Sequence, residues 1–295
     1  MYDTVHFCLP HLKGEEEYLL SSFDYKKTEK TTGEFWYNLN IGNMKVYISI
    51  SHITVQGSLA KFYLGNNVYT LNKGTTRLAI EKLSDTLKLN MDEAQIKRLD
   101  FGTNFNMKVN IDQYLRVLGE YPSLKRFLYC QDTLYYTRKK FHYLVFYDKG
   151  KECKCSQENL LRYERRFDKR QIKRLFGVIE GRQLYDMDFY NSVVSLWEQD
   201  YLRIEKRNLP ALNNSAIKTA SDGEKAALGY LLKKMPAQDG IDIQESIKGM
   251  MDSQNRYRFT KELENIKAKY LLESKSILVE ELDGLICDRA EQEKG

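Results

Sequence analysis

Three short segments of the chain carry polar side chains at alternating positions, where a β-strand would collect them on one face. The segments are 98–102, 143–149 and 161–167. Their apolar residues occupy the other positions, so a period of two turns those residues toward a core and the polar ones away from it. If the three are neighbours in one antiparallel sheet, one face gathers an Asp, a Glu, a Tyr, a Lys and two Arg. These residues are Asp100, Tyr147, Lys149, Arg162, Glu164 and Arg166, with Tyr143 beside them.

This set of side chains fits chemistry at a phosphate. Asp100 and Glu164 offer carboxylate oxygens, the ligands that Mg²⁺ and Mn²⁺ prefer. A tyrosine beside such an ion becomes a nucleophile when its proton, with an ordinary pKa near 10, is removed. Lysine and arginine stabilise the negative charge that a pentacoordinate phosphate gains. The pattern therefore fits attack of a tyrosine on a DNA phosphodiester, with a 5′-phosphotyrosine as product.

The same residues have purely structural interpretations, which the sequence leaves open. Asp100 could simply pair with Arg98, and Glu164 with Arg162 or Arg166. Any one of the 21 tyrosines could equally be a core or interface aromatic, because the ring buries a large apolar area.

The elements that must position this face are those of an α+β fold. Alternating apolar residues predict strands over 2–9, 35–39 and 44–53. Spacings of three and four predict helices near 78–87 and 111–118, and a longer one from Asp186 to Tyr201. We therefore predict an antiparallel sheet with helices packed on it, forming a catalytic domain over residues 1–207.

The remainder reads as an all-helical C-terminal region over residues 208–295, which would bind DNA, a partner or a second copy. It opens with a linker at 208–214. A capping box at Ser221–Glu224 then starts a helix, and further helices are predicted over 243–251 and 257–285. The first of these helices has an apolar face made of Leu228, Leu231, Leu232 and Met235.

Charge is concentrated in one stretch of the chain. The net charge is +5, but residues 125–182 hold 16 Lys and Arg against seven Asp and Glu, a local +9 that leaves −4 elsewhere. A basic stretch of this kind indicates a phosphate-binding surface or a solvated face.

Composition and end sequences favour a cytoplasmic protein without a membrane span. No apolar run approaches the roughly 18 to 20 residues that a spanning helix needs, and the amino terminus has no signal-peptide pattern. The five cysteines are odd in number and sparse, which predicts reduced thiols.

Five segments, in order, resemble the gene II family of phage and plasmid rolling-circle replication initiators. They are Met1-Tyr2-Asp3-Thr4-Val5 through Pro10, Gly57-Ser58-Leu59-Ala60-Lys61 with Gly65-Asn66-Asn67, Arg98-Leu99-Asp100, Val145-Phe146-Tyr147-Asp148-Lys149 with Glu152, and Arg162-Tyr163-Glu164. The resemblance covers roughly residues 1–177. It implies a site-specific DNA nickase and strand-transferase in the cytoplasm of a bacterial host cell.

The resemblance also assigns roles within the candidate site. Tyr147 takes the position of the nucleophile, with Lys149 and Glu152 flanking it. Asp100 and Glu164 become metal ligands for Mg²⁺ or Mn²⁺. The wider class commonly uses a His-hydrophobic-His pair, which this chain lacks, so His52 is left as one nitrogen ligand or as a hydrogen-bonded sheet histidine. Tyr135, Tyr136 and Tyr143 are rival nucleophiles.

Cationic side chains near these motifs are the predicted DNA contacts. They are Lys61, Arg138, Lys139, Lys140, Arg162 and Arg166. The expected partners are single-stranded DNA, origin duplex DNA, and a host helicase and polymerase, with a homodimer left open and no membrane. Two other functions stay open: a non-catalytic DNA-binding replication regulator, and a conjugative relaxase with the same chemistry.

Overall fold

The computed structural model describes residues 1–11, 14–29, 35–139, 141–153, 159–207, 211–235, 237–272 and 277–295. Within these ranges ten strands form one sheet in which every neighbouring pair is antiparallel. The strands are β1 (Tyr2–Pro10), β2 (Tyr25–Glu29), β3 (Phe35–Ile41), β4 (Met44–Ile48), β5 (His52–Ser58), β6 (Gln95–Asn106), β7 (Lys125–Tyr129), β8 (Thr133–Arg138), β9 (Phe141–Asp148) and β10 (Leu160–Phe167). Their order is β2-β3-β4-β5-β1-β6-β10-β9-β8-β7, so the three polar segments are neighbours, which is the condition for a shared polar face.

Helices cover part of this sheet and make up most of the C-terminal region, which confirms the predicted α+β class. They are α1 (Glu15–Ser22), α2 (Leu59–Leu64), α3 (Lys73–Leu87), α4 (Ile111–Val117), α5 (Lys149–Cys153), α6 (Lys169–Phe176), α7 (Met187–Leu202), α8 (Ala220–Lys234), α9 (Ala237–Gly249), α10 (Ser253–Tyr270) and α11 (Ile277–Lys294). Short 3-10 helices lie at Gly181–Tyr185 and Asn214–Ala216, and β11 (Ala211–Leu212) pairs with β12 (Leu271–Leu272).

Stacked aromatic rings join one face of the sheet to α7. The Tyr163 ring of β10 lies between Phe146 of β9 and Trp197 of α7, with centroids 4.3 and 4.9 Å away. All three side chains are fully buried. The Tyr163 hydroxyl donates to the Trp197 carbonyl at 2.9 Å, so its polar atom is satisfied inside the core. This is the apolar face that the alternation predicts, and the polar residues must lie on the other.

Two predicted strand and helix runs are broken by turns. The run 44–53 divides into β4 and β5, and Ile50, which alternation would place on the same face as Val46 and Ile48, is 66% exposed in the turn between the two strands. The run 257–285 divides into α10 and α11. Periodicity alone missed both breaks, because apolar residues continue across them.

Helix starts are predicted more closely. Asp186 caps α7, as expected, by accepting a hydrogen bond from the Phe189 backbone amide. The capping box of α8 is formed by Thr219 and Asp222, two residues before the predicted start, because the Thr219 hydroxyl is the acceptor that the first turn uses.

The chain divides into two compact units. One comprises Met1–Glu205 with Asp283–Gly295, and the other Lys206–Leu282. The domain boundary at residue 207 stays a prediction; residues 283–295, predicted to lie in the C-terminal region, cluster with the first unit. There Asp283 and Glu293 of α11 accept hydrogen bonds from the Tyr201 and Tyr190 hydroxyls of α7.

The second unit has a small apolar cluster built from Ala226, Ile266 and Tyr270. The predicted apolar face of α8 is wrong in part, since Leu228 and Leu231 are 43% and 55% exposed. Helix α8 packs through the neighbouring stripe that contains Ala226.

Membrane-spanning helices and the state of the cysteines were both predicted from the sequence. None of the described helices is both long and apolar enough to cross a membrane. Cys8, Cys130 and Cys287 are free thiols, whereas Cys153 is disulfide-bonded, so the expectation of reduced cysteines is wrong at that position.

Candidate active site

Three neighbouring strands place the predicted polar residues on the face opposite the aromatic core. Tyr147 of β9 lies beside Arg162 of β10, and Arg166 of β10 lies beside Asp100 of β6. Directly paired residues point to the same side of a sheet, as do residues two apart in one strand. Asp100, Tyr147 and Glu164 therefore share a face.

The charged side chains on this face alternate in sign. Arg98 donates two hydrogen bonds to Asp100, at 2.8 and 2.7 Å. Arg166 follows, with its Nε 3.6 Å from Asp100 and two hydrogen bonds to Glu164 at 3.0 and 2.7 Å. The pairs that the sequence left as structural alternatives are thus the pairs observed.

Arg162 continues the alternation and is fully buried. It donates to Glu164 at 2.6 Å and to Asp3 at 2.8 Å. Its remaining contacts are the Asn104 side chain at 3.1 Å and the Asn67 carbonyl at 3.2 Å. A buried guanidinium is tolerated only when it is paired and hydrogen-bonded in this way. The predicted DNA contact by Arg162 is therefore wrong, because burial withholds the side chain from any ligand.

These residues form one continuous set, which we call the ion-pair series. Its members, in spatial order, are Arg98, Asp100, Arg166, Glu164, Arg162 and Asp3. Three cations alternate with three carboxylates, so the series is electrically balanced within itself.

Tyr147 lies beside the ion-pair series and at the edge of a cavity. Its hydroxyl donates to Glu164 Oε1 at 3.0 Å. The cavity has a volume of about 400 Å³, and its walls include Tyr135, Tyr147, Glu152 and Arg166. The Tyr147 and Arg166 side chains both line this cavity.

The ionisation of this pair is set by burial and by the arginines. Burial raises the pKa of Tyr147 well above its ordinary value, and the charge of Glu164 raises it further. Burial alone would also raise the pKa of Glu164, but Arg162 and Arg166 outweigh it and lower that pKa to about 2. A carboxylate with so low a pKa is a weak base, so Glu164 orients the Tyr147 hydroxyl rather than deprotonating it.

Burial and neighbouring arginines also compete over the pKa of Asp100, but here burial has the larger effect. Burial raises the pKa of Asp100 to about 6, although Arg98 and Arg166 oppose the rise.

Lys149 joins the Tyr147 strand to the loop that follows α2. Its ammonium, fully buried, lies 2.5 Å from the Glu152 carboxylate and 3.0 Å from the Asn67 side-chain oxygen. It is 5.9 Å from the centroid of the Tyr147 ring. The sequence places Lys149 in the strand, but β9 ends at Asp148 and Lys149 begins α5. Lys149 and Glu152 both lie near Tyr147, since Glu152 lines the same cavity, and a catalytic role for them stays a prediction.

His52 lies away from the other predicted metal ligands. It sits at the start of β5, where the Ser49 and Ser51 hydroxyls contact its Nδ1, and its partner on β1 is Pro10. Asp100 lies beside the opposite end of β1, roughly 20 Å away along the strand. His52 is therefore wrong as a ligand in a shared site, and it fits the sheet-histidine alternative.

The two carboxylates do not complete a metal site in this arrangement. Asp100 and Glu164 each accept hydrogen bonds from arginines. Within the described residues no three His, Cys, Asp or Glu side chains converge as metal ligands. The use of Mg²⁺ or Mn²⁺ therefore stays a prediction.

The predicted DNA-binding cations lie in three places. Lys61 is exposed on α2, Arg138 and Lys139 are exposed at the end of β8, and Arg166 lines the Tyr147 cavity. Lys140 lies outside the described residues.

The rival tyrosines separate clearly. Tyr136 is fully buried and its hydroxyl donates to the Gly119 carbonyl at 2.8 Å, which removes it as a nucleophile. Tyr143 lines a different cavity, whereas Tyr135 shares the cavity with Tyr147. Tyr135 is the rival that remains.

Sequence reasoning missed Asp3, Asn67 and Asn104 as parts of the site. Asp3 is buried in β1, and a lone carboxylate within an apolar strand needs a cationic partner, so it carried a usable signal. Asn67 lies in the Gly65-Asn66-Asn67 motif, but neither it nor Asn104 showed a link to Arg162, because their contacts depend on how the loop after α2 packs on β6 and β10.

The chain is similar to known replication proteins. The family model that describes the N-terminal part of the replication-associated protein of the gene II type matches residues 1–224. Among solved structures, the rolling circle replication initiator protein from Geobacillus stearothermophilus matches with a TM-score of 0.42 and 12% identity, covering 70% of this chain and 92% of that chain. No curated protein matches the chain.

The match of the family model extends over most of the chain. The protein therefore belongs to the family of replication-associated proteins of the gene II type, which confirms the resemblance seen in its motifs.

Proposed function

We propose that this protein initiates rolling-circle replication by nicking one DNA strand at an origin and transferring that strand through Tyr147. The observation that supports this most directly is the Tyr147 hydroxyl, held by Glu164 at 3.0 Å at the edge of a cavity that Arg166 also lines. In a replication-associated family, a positioned hydroxyl beside a cation is suited to a phosphodiester.

The reaction exchanges one phosphate ester for another. The Tyr147 oxygen bonds to phosphorus and loses its proton, while the bond from phosphorus to the 3′ oxygen breaks and that oxygen takes up a proton. Glu164 orients the tyrosine, and Arg166 stabilises the charge that builds on the phosphate oxygens. The products are a 5′-phosphotyrosine and a free 3′ hydroxyl.

The free 3′ hydroxyl sets the expected partners. A host polymerase would extend it while a host helicase opens the duplex, and a second transfer would recircularise the displaced strand. Residues 1–207 would carry this chemistry in the host cytoplasm, and residues 208–295 would bind DNA, a partner or a second copy.

The deciding experiment incubates a supercoiled plasmid carrying the cognate origin with Mg²⁺ or Mn²⁺ and measures nicking and a detergent-stable protein–DNA adduct. Tyr147→Phe should abolish the adduct while leaving origin binding largely intact. Tyr135→Phe is the matched control, since it removes a hydroxyl from the same cavity, and it should retain the adduct. An adduct that persists in Tyr147→Phe and disappears in Tyr135→Phe would assign the nucleophile to Tyr135.

Metal use has its own test. Chelation should stop nicking, and so should Asp100→Asn if that carboxylate holds the metal. Undiminished nicking under both conditions would contradict the metal prediction.

A second candidate function, a non-catalytic DNA-binding regulator, is favoured by the pairing of the two carboxylates. Asp100 and Glu164 accept hydrogen bonds from arginines, so neither is free to hold a metal ion or to take the tyrosine proton. Such a regulator would bind DNA with a steep salt dependence and would not nick with any divalent ion. A relaxase would give the same nicking result and differ in the DNA that it transfers.

A further inference from the structure

A second cavity opens on the other face of the sheet from Tyr147. Its volume is about 750 Å³, and it shares no lining residue with the Tyr147 cavity. Leu144 and Arg165 line it, whereas the next residues, Val145 and Arg166, line the Tyr147 cavity. Consecutive residues in a strand point to opposite sides of the sheet, so at Leu144 and Arg165 the second cavity lies on the face opposite the Tyr147 cavity. Tyr143, predicted to lie beside Tyr147, lines the second cavity instead, because β9 reaches it beyond a register shift against β8 that interrupts the strict alternation.

Among the described residues, four cations at this second cavity have no carboxylate partner. Arg138 and Lys139 come from the end of β8, and Arg170 and Arg174 come from α6. The two α6 arginines are one turn apart and share a helix face. None of the four forms an ion pair within the part of the chain that the structure describes, whereas Arg165 deeper in the cavity is held by Asp200 at 2.5 Å.

Two aromatic rings lie among these cations. Phe141 and Tyr143, at the start of β9, line the cavity and are partly exposed, with ring centroids 4.9 Å apart. The Arg165 guanidinium lies 5.6 Å from the centroid of Tyr143. Cations that follow a phosphate backbone, combined with aromatic rings that stack on bases, are the two components of surfaces that bind single strands without sequence preference.

We propose that this cavity binds a segment of single-stranded DNA, with phosphates on the four cations and a base on the Phe141–Tyr143 pair. We call it the α6 groove; its residues are Arg138, Lys139, Phe141, Tyr143, Arg170 and Arg174. A single strand fits better than a duplex, because only an unpaired base can leave its stack and reach the rings. The inference rests on DNA as the ligand of the proposed function, but it does not depend on strand cleavage.

Its position gives the groove a role separate from cutting. A strand held there lies on the opposite face from the Tyr147 hydroxyl. The groove would therefore hold DNA that is not being cleaved, such as the strand displaced during replication.

The first test measures binding of the full chain to a fluorescent oligothymidylate of about 15 nucleotides, by anisotropy, over a range of salt concentrations. The double variant Arg170→Gln/Arg174→Gln should lose about tenfold or more in affinity and reduce the logarithmic salt slope by about 1.4, as expected for two lost phosphate contacts. The matched control is Lys169→Gln/Lys173→Gln, which removes the same charge from the same helix outside the groove and should lose less than about threefold. Equal losses in the two double variants would overturn the proposal.

The second test addresses stacking and strandedness. Tyr143→Leu should weaken oligothymidylate binding roughly tenfold, whereas Tyr25→Leu, an exposed tyrosine on the distant β2, should leave it unchanged. A duplex of the same length should bind Tyr143→Leu as well as it binds the unaltered chain. If the arginine variant weakens only duplex binding, the assignment to single strands is wrong.

Failure of the groove and failure of the proposed function remain distinguishable. The oligothymidylate assay needs no cleavage, so its outcome does not depend on which tyrosine forms the adduct. Loss of the adduct in Tyr135→Phe rather than Tyr147→Phe would overturn the nucleophile assignment and leave the groove result standing.

Discussion

Two groups of arginines on opposite faces of one sheet differ in whether they have partners. On the Tyr147 face, Arg162 and Arg166 are held by carboxylates of the ion-pair series. At the α6 groove, Arg170 and Arg174 form no ion pair within the described ranges. All four arginines come from the basic stretch 125–182, which the sequence presents as one surface. The paired ones position a hydroxyl, and the unpaired ones are left to bind phosphate.

Replacing a paired arginine should mainly reduce stability, whereas replacing an unpaired one should mainly reduce DNA binding. Removing one partner of a buried ion pair leaves the other charge uncompensated, which costs far more than the pair itself contributes. Removing an exposed, unpaired arginine costs little stability but removes a phosphate contact. Stability and binding measurements should therefore separate the two groups.

The largest effect is expected for Arg162→Met. It leaves Asp3 and Glu164 buried without their shared cation, which should lower the free energy of unfolding by about 3 to 5 kcal/mol. Arg174→Met is the matched control, with an expected change below about 0.5 kcal/mol. Urea unfolding followed by circular dichroism measures both. Similar values for the two variants would remove the distinction between the groups.

An acid-dependent loss of stability should follow from Glu164. Its pKa, lowered from 4.5 to about 2, means that the folded state favours the ionised carboxylate. This contribution is present above the unfolded pKa and is lost as the pH falls from about 4.5 to 2, to a total of about 3 kcal/mol. Urea unfolding at several pH values should show this loss in the unaltered chain and not in Glu164→Gln. Identical pH profiles would mean that the arginines do not hold Glu164 ionised.

The smallest effect is expected for Arg166→Gln, since this residue belongs to the ion-pair series and also lines the Tyr147 cavity. Loss of its charge beside the phosphate should slow adduct formation by about a hundredfold, equivalent to about 2.7 kcal/mol. Oligothymidylate binding, which takes place on the other face, should not change. A drop in binding as large as that of the α6 arginine variant would show that the two faces do not act separately.

The sequence predicted the positions of some residues of the candidate site correctly and misplaced others. Alternation of polar and apolar residues sufficed for the shared face of Asp100, Tyr147 and Glu164, because a strand period of two needs no tertiary information. Lys149 was misplaced into the strand, because the change from β9 to α5 has no signal in hydrophobicity. His52 was misplaced because its distance from Asp100 depends on the register of β5 against β1.

Only some of the cations of the α6 groove were predicted from the sequence as DNA contacts. Arg138 and Lys139 could be proposed as DNA contacts from the run of cations in which they lie. Arg170 and Arg174 were not singled out, because their proximity to Tyr143 requires α6 to pack beside β9. Basic composition indicates a phosphate ligand, but it does not show which cations are already neutralised.

By itself the sequence determined the α+β class, the strands that carry Asp100, Tyr147 and Glu164, and the family to which the protein belongs. Local periodicity and short motifs suffice for these, since both are properties of neighbouring residues. Only the tertiary structure decided which arginines are paired, because Asp3 and Arg162 are far apart in the chain and meet only when β1, β6 and β10 assemble. It also decided that the basic stretch has two faces, since adjacent residues such as Arg165 and Arg166 are directed to opposite sides by the sheet.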